Sequence, residues 1–257
     1  MTSIIITCCG SPVYRGEKMK PGERIIVALD VDSPDRAEEI TAELAPYVGA
    51  FKIGKELFTA CGPDAVSRIQ GRGGRVFLDL KFHDIPNTVL GACREAAEMG
   101  VRMITVHASG GGEMIQAART GAAQGASSQE NRPAVLAVTV LTSISGDMLA
   151  NELRIPHTPR EQVGFWAHLA QENGADGVVC SPQEIEIVRK ECGRGFLVVT
   201  PGIRPAWSVD NDQKRVASPA DALRRGADYL VIGRPVTQSG DRTEAVRRIT
   251  EEMTEHD

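Results

Sequence analysis

Positive charge is in short supply in this chain. Its 29 lysines and arginines are outnumbered by 34 aspartates and glutamates, which leaves a formal net charge of -5 at pH 7. A nucleic-acid or anionic membrane surface needs clustered cationic side chains to neutralise phosphates, so the balance argues against both classes of partner. Any anionic ligand must be held by a local site. Paired cysteines are missing too: Cys8, Cys9, Cys61, Cys93, Cys180 and Cys192 form no CxxC pair and have no zinc-ligand spacing with the five histidines. They read as free thiols of a reducing compartment, which makes the cytoplasm the expected location. No apolar run approaches a membrane span. The opening MTSIIITCCG lacks a basic start and is too brief for the apolar core of a secretory leader. Residues 1–22 are therefore expected to be a flexible N-terminal extension, with Met19 as an alternative start, followed by one domain over 23–257.

A glycine-rich nucleotide-binding turn after the first strand is also absent, which weakens the case for a doubly wound open sheet. What the sequence does contain is one pattern, repeated. Apolar, β-branched runs occur at 24–31, 50–54, 75–82, 101–108, 134–142, 177–181, 196–202 and 229–236. Between them lie helix-like segments such as SPDRAEEITAEL, with Ser33 as N-cap and Pro34 in the first turn, and REQVGFWAHLAQENG. Gly100, Gly174, Gly193 and Gly226 sit where helices end in a left-handed residue. Eight parallel strands alternating with helices predict a single-domain (β/α)8 TIM barrel, a fold that typically takes about 250 residues.

Active sites in such barrels lie at the C-terminal ends of the strands. Polar residues are unusually dense there. The stretch RVFLDLKFHDI (75–85) is apolar enough to be a buried strand, yet it carries Asp79, Lys81 and Asp84. Alternation puts Asp79 and Lys81 on one face and Leu78, Leu80 and Phe82 on the other. A purely structural ion pair is a weak reason to keep two buried charges, because apolar replacements are often neutral or stabilising. Function is the better reading for this pair. Lys52 inside AFKIG is similar, since buried lysines are rare unless paired. Asp30 alone would suit a rim salt bridge, and His107 suits a core histidine as well as a catalytic one. Thr142, Gly202 and Arg204 end the fifth and seventh runs. Gly233 and Arg234 end the eighth, where backbone N–H groups and a guanidinium can receive a phosphate. The polar run 206–218, holding Gln213, is long enough for a closing segment.

The set LDVD, FKIGKELF, FLDLKFHDIPNTV, VLTS, TPGIRP and VIGRPV, in that order, closely resembles the orotidine 5'-phosphate decarboxylases of the bacterial type, over about 24–248. The resemblance implies a homodimeric barrel that makes uridine 5'-monophosphate in the last step of pyrimidine synthesis, without metal or organic cofactor. It implies that Lys81 donates a proton to pyrimidine C6 and that Asp79 lies beside the substrate carboxylate. Asp30 and Lys52 would contact the ribose, and Asp84 and Thr88 would reach the ribose of the other subunit. Thr142 would meet the pyrimidine, Arg204 and Gln213 would act from the closing segment, and Gly233 with Arg234 would bind the phosphate.

Overall fold

The computed structural model describes residues 19–205, 207–208 and 217–254. Eight parallel strands close into one barrel in chain order: β1 (Ile25–Ala28), β2 (Ala50–Ile53), β3 (Val76–Phe82), β4 (Met103–His107), β5 (Ala134–Val138), β6 (Gly177–Val179), β7 (Leu197–Thr200) and β8 (Tyr229–Ile232). The helices are α1 (Pro34–Leu44), α2 (Lys55–Cys61), α3 (Asp64–Gly71), α4 (Pro86–Glu98), α5 (Gly112–Gly125), α6 (Pro159–Glu172), α7 (Ile185–Cys192), α8 (Pro219–Arg225), α9 (Arg234–Thr237) and α10 (Arg242–Thr254). The expected TIM barrel is what forms. No helix among the described residues is long and apolar enough to cross a membrane.

Local chemistry sets the helix ends. Ser33, Thr158 and Ser218 each accept a hydrogen bond from the backbone N–H three residues on, ahead of a proline at the first helical position of α1, α6 and α8. Gly100, Gly174, Gly193 and Gly226 all take positive φ, as their helix-end positions require. Three of these helices escaped the periodicity reading. The end of the apolar run 229–236 turns into α9, because β8 stops at Ile232 and Pro235 enters at the start of a helix. The segment between β2 and β3 folds as α2 and α3, split at Gly62 (φ 60°) and Pro63, and neither piece is long enough to show a full apolar stripe. The N-terminal boundary also differs in detail. Pro21–Arg24 forms a 3-10 turn and Met19 packs against the lower barrel interior, so part of the expected extension belongs to the folded body. Residues 1–18 lie outside the described residues.

Period-two alternation divides the core into two shells. Outward residues such as Val27, Ile53, Leu78 and Val198 pack beneath the helices. Inward residues, among them Ile26, Ala50, Phe77, Met103, Leu136 and Tyr229, fill the barrel. Moving up the same inward rows by two residues changes their character: Ala50 is followed by Lys52, Phe77 by Asp79 and Met103 by Thr105. The barrel is thus sealed with hydrocarbon below and charged above.

The opposite, N-terminal face carries two matching ion-pair staples. Gly-Ala-Asp occurs at 174–176 and again at 226–228, each time as a helix ends and a strand begins. Asp176 accepts both Nη atoms of Arg132 at 2.7 and 2.8 Å and the Val135 N–H of β5 at 2.8 Å. Asp228 accepts from Arg189 at 2.6 Å and from the Val198 N–H of β7 at 2.7 Å. The Arg132 and Asp176 side chains are only 3% and 7% exposed. Removing one member leaves the other charged and desolvated, so Asp176→Ala is expected to cost about 3–5 kcal/mol in urea unfolding. A loss under about 1 kcal/mol would show that water replaces the carboxylate.

Candidate active site

The charged upper layer is an alternating ladder. Lys52 Nζ lies 2.9 Å from Asp30 Oδ1 and 3.8 Å from Asp79 Oδ2. Lys81 Nζ donates to both carboxylate oxygens of Asp79, at 2.8 and 2.7 Å. The order is therefore Asp30, Lys52, Asp79, Lys81, contributed by the segment two residues past the end of β1 and by β2 and β3. Burial is greatest in the middle of the ladder: the Asp30 side chain is 59% exposed, Lys52 and Asp79 are each 12% exposed, and Lys81 is 25% exposed. Gly54 keeps room for the outer rung. A methyl group there would come within 3.0 Å of Lys52 Nζ and 3.1 Å of Asp30 Oδ1.

Lys81 owes its position to a distortion of β3. Leu78 pairs with Ile104 and Phe82 with Val106, so four steps along β3 match two along β4. Within this bulge Lys81 takes φ 55°, a left-handed conformation uncommon for a residue with a side chain. Its amide N–H donates to Thr105 Oγ1 at 2.9 Å, and that hydroxyl donates to Asp79 Oδ1 at 3.0 Å.

Two cavities meet at the ladder. One, of about 270 Å³, is lined by Asp30, Lys52, Gly202, Arg204, Gly233 and Arg234 among others. The second, of about 200 Å³, runs over Asp79 and Lys81 to Val138, Leu141, Thr142 and Cys180. Lys52, Pro201 and Val231 border both. A polar chamber with two guanidinium residues thus adjoins a more apolar cavity bordered by Asp79 and Lys81. Such a pair suits a ligand with an anionic group at one end and a ring at the other.

The model of the "Orotidine 5'-phosphate decarboxylase / HUMPS family" matches residues 23–249. The chain belongs to that family. Among curated proteins, the orotidine 5'-phosphate decarboxylase of Moorella thermoacetica is 52% identical over 238 residues, covering 92% of this chain and 94% of the relative. That of Syntrophomonas wolfei is 50% identical over 239 residues, covering 92% of this chain and 100% of the relative. The crystal structure of orotidine 5'-phosphate decarboxylase from Lactobacillus acidophilus superposes with a TM-score of 0.80 at 39% identity, covering 90% of this chain and 98% of that one.

Within this decarboxylase-family barrel, most residues singled out from the sequence border the two cavities, though not always as strand ends. Thr142 lies four residues beyond the end of β5, in a loop, because the strand pairs only through Val138. Arg204 follows β7 by four residues, and its amide donates to the Ala217 carbonyl. Gly233 precedes the short α9, in which Arg234 is the first residue. Asp84 and Thr88 stand apart from both cavities. They are exposed at the start of α4, where Asp84 Oδ1 accepts the Ile85 N–H at 2.6 Å. Gln213 and its neighbours at 209–216 lie outside the described residues.

Thr105 was missed by the sequence reading. Its only signal was position, two residues before His107 on an inward row, and a threonine in a strand ordinarily means β propensity. His107 itself touches His83, with ring centroids 5.2 Å apart and planes tilted by 39°. Burial, then the His83 ring and the ammonium groups of Lys81 and Lys55, hold its pKa down to about 4 against an opposing pull from Asp79. His107 is therefore neutral at pH 7 and adds no cation to the ladder. Between an unfolded pKa of 6.5 and the folded value of about 4, the unfolded chain binds more protons, so His107 erodes stability as pH falls through that window. The decline in urea-unfolding stability from pH 6.5 to 4 is expected to be shallower in His107→Gln. An unchanged slope would remove His107 from the titration.

Proposed function

We propose that this chain decarboxylates orotidine 5'-monophosphate to uridine 5'-monophosphate and CO₂, the last step of pyrimidine nucleotide synthesis, in the cytoplasm. The observation that carries the reading is the Asp30, Lys52, Asp79, Lys81 ladder at the junction of a polar and an apolar cavity. Family membership supports it, and so do the names of the relatives.

The chemistry explains the ladder. In this reading the phosphate goes to the polar chamber beside Gly233 and Arg234, with Arg204 and Gln213 closing over it. The ribose meets Asp30 and Lys52, and the pyrimidine enters the more apolar cavity against Thr142. Breaking the bond between C6 and the carboxyl carbon leaves an electron pair on C6 that no adjacent carbonyl can take up. A fixed cation must face it. Lys81 supplies that charge and then its proton, which forms the C6–H bond, leaves the amine neutral and is replaced from solvent. Asp79 lies beside the departing carboxylate. Two like charges about 4 Å apart repel by roughly 4 kcal/mol at an effective dielectric of 20, and this strain vanishes as neutral CO₂ forms. Binding of the remote phosphate offsets it.

The direct test follows the ultraviolet absorbance of orotidine 5'-monophosphate with chelator-treated protein, where turnover is expected. Lys81→Ala removes both the general acid and the preorganised cation, each of which contributes about 10²-fold or more, so a loss beyond about 10⁴-fold is expected with product-nucleotide binding retained. Near-normal turnover would transfer the role to another group.

The active unit in this reading is a homodimer. Support comes from Asp84 and Thr88, which face outward beside Ile85, an apolar side chain left 67% exposed. If Asp84 completes the partner's site, mixing Lys81→Ala with Asp84→Ala chains creates hybrids with one intact site. With random reassortment, about half the dimers are hybrids and activity returns to about a quarter of wild type, by the two-fold symmetry of an isologous interface. Activity that stays at parental levels, with exchange confirmed by mass-tagged chains, would confine both residues to one chain.

A further inference from the structure

We propose that Thr105 is a positioning residue for the reaction: one buried hydroxyl that fixes the Asp79 carboxylate and the Lys81 backbone relative to each other. This rests on the decarboxylase reading of the site. A hydroxyl has one proton and two lone pairs. In Thr105 the proton goes to Asp79 Oδ1 at 3.0 Å and a lone pair takes the Lys81 N–H at 2.9 Å. Thr105 is fully buried, its bond to Asp79 lies out of water, and the bond from the Lys81 N–H is partly buried.

Both linked groups need such a hold. Asp79 has Lys81 on both oxygens and Lys52 at 3.8 Å from Oδ2, so the two ammonium groups fix its charge without fixing the plane of its carboxylate. The directional bond from Thr105 to Oδ1 does that. Lys81 sits in a bulge at φ 55°, where its amide is bonded to a side chain, Thr105 Oγ1. Without that acceptor a partly buried N–H in a strained turn is orphaned, and relaxation of the turn carries the Lys81 ammonium away from its aim. Thr105 is held in turn by β4, whose pairing with β5 is regular from Met103 to His107. The rigid strand therefore indexes the distorted one.

The test compares Thr105→Val, which keeps the shape and removes the donor and acceptor, with Thr105→Ser, which keeps both. In Thr105→Val, kcat is expected to fall by about 10- to 100-fold, the scale of a catalytic group misplaced by an ångström or less. KM and product-nucleotide affinity, set in the polar chamber, should stay within about threefold. Thr105→Ser should recover kcat to within about threefold of wild type. Hydrogen exchange at the Lys81 amide, followed by NMR, should quicken in the valine variant alone. If the valine variant does not fold, Thr105→Cys, a weak donor and weak acceptor, takes its place in the same comparison. A kcat within threefold of wild type in a folded valine variant would overturn the proposal, as would a serine variant as impaired as valine. A parallel loss of kcat and nucleotide affinity would overturn it too, by making Thr105 a general structural support. A wild-type control inert toward orotidine 5'-monophosphate would instead overturn the functional reading beneath it.

Discussion

A carboxylate withdrawn from water is tolerable only when cations and donors close around it, and Asp79 is where this barrel meets that condition. Lys81 takes both oxygens, Lys52 stands beyond one of them, and Thr105 donates to the other. Each of these partners comes from a different place in the sequence, and each must arrive at the same height in the barrel. The eight-stranded closure provides that common height, because strand register fixes which inward residues share a layer. The distorted end of β3 is the local adjustment that brings a second charge of the same strand into reach.

Chemistry and cohesion are separated along the barrel axis. Inward hydrocarbon from Ile26, Phe77, Met103, Leu136 and Tyr229 fills the lower barrel, and the shell beneath the helices is mostly apolar, with a few buried polar side chains such as Thr41 and Gln162. The upper layer gives up part of that packing to hold charges and two adjoining cavities. Such a site is costly in isolation. It is supported here by strands whose other turns are buried on both faces.

Most of the plan was legible in the sequence because it obeys short periods. Eight β-branched runs announced the strands, glycines announced helix ends, and opposite charges two residues apart in an apolar run announced Asp79 and Lys81. What stayed hidden depends on tertiary register. Thr105 gains its role only because a bulge in β3 turns the Lys81 amide toward it, and no one-dimensional pattern encodes that pairing. The α2 and α3 helices were hidden because Gly62 and Pro63 cut the segment below the length at which a 3.6-residue stripe is visible. The end of β5 was read too long because VTVLT has strand composition beyond the point at which its neighbours stop pairing. Roles assigned to Asp84, Thr88 and Gln213 came from family resemblance, since spacing alone gave no reason to prefer them over any exposed polar residue.

The two staples on the lower face have a further consequence for how the chain divides. Asp176, just ahead of β6, binds Arg132 and the backbone of β5, and Asp228, just ahead of β8, binds Arg189 of α7 and the backbone of β7. Both fastenings lie inside a consecutive strand pair. Neither crosses the seam between β6 and α7, around Ser181 to Glu184. The C-terminal half of the barrel is thereby organised as two modules of two strands each, and that seam is where a permuted terminus or a split between fragments would leave both fastenings whole.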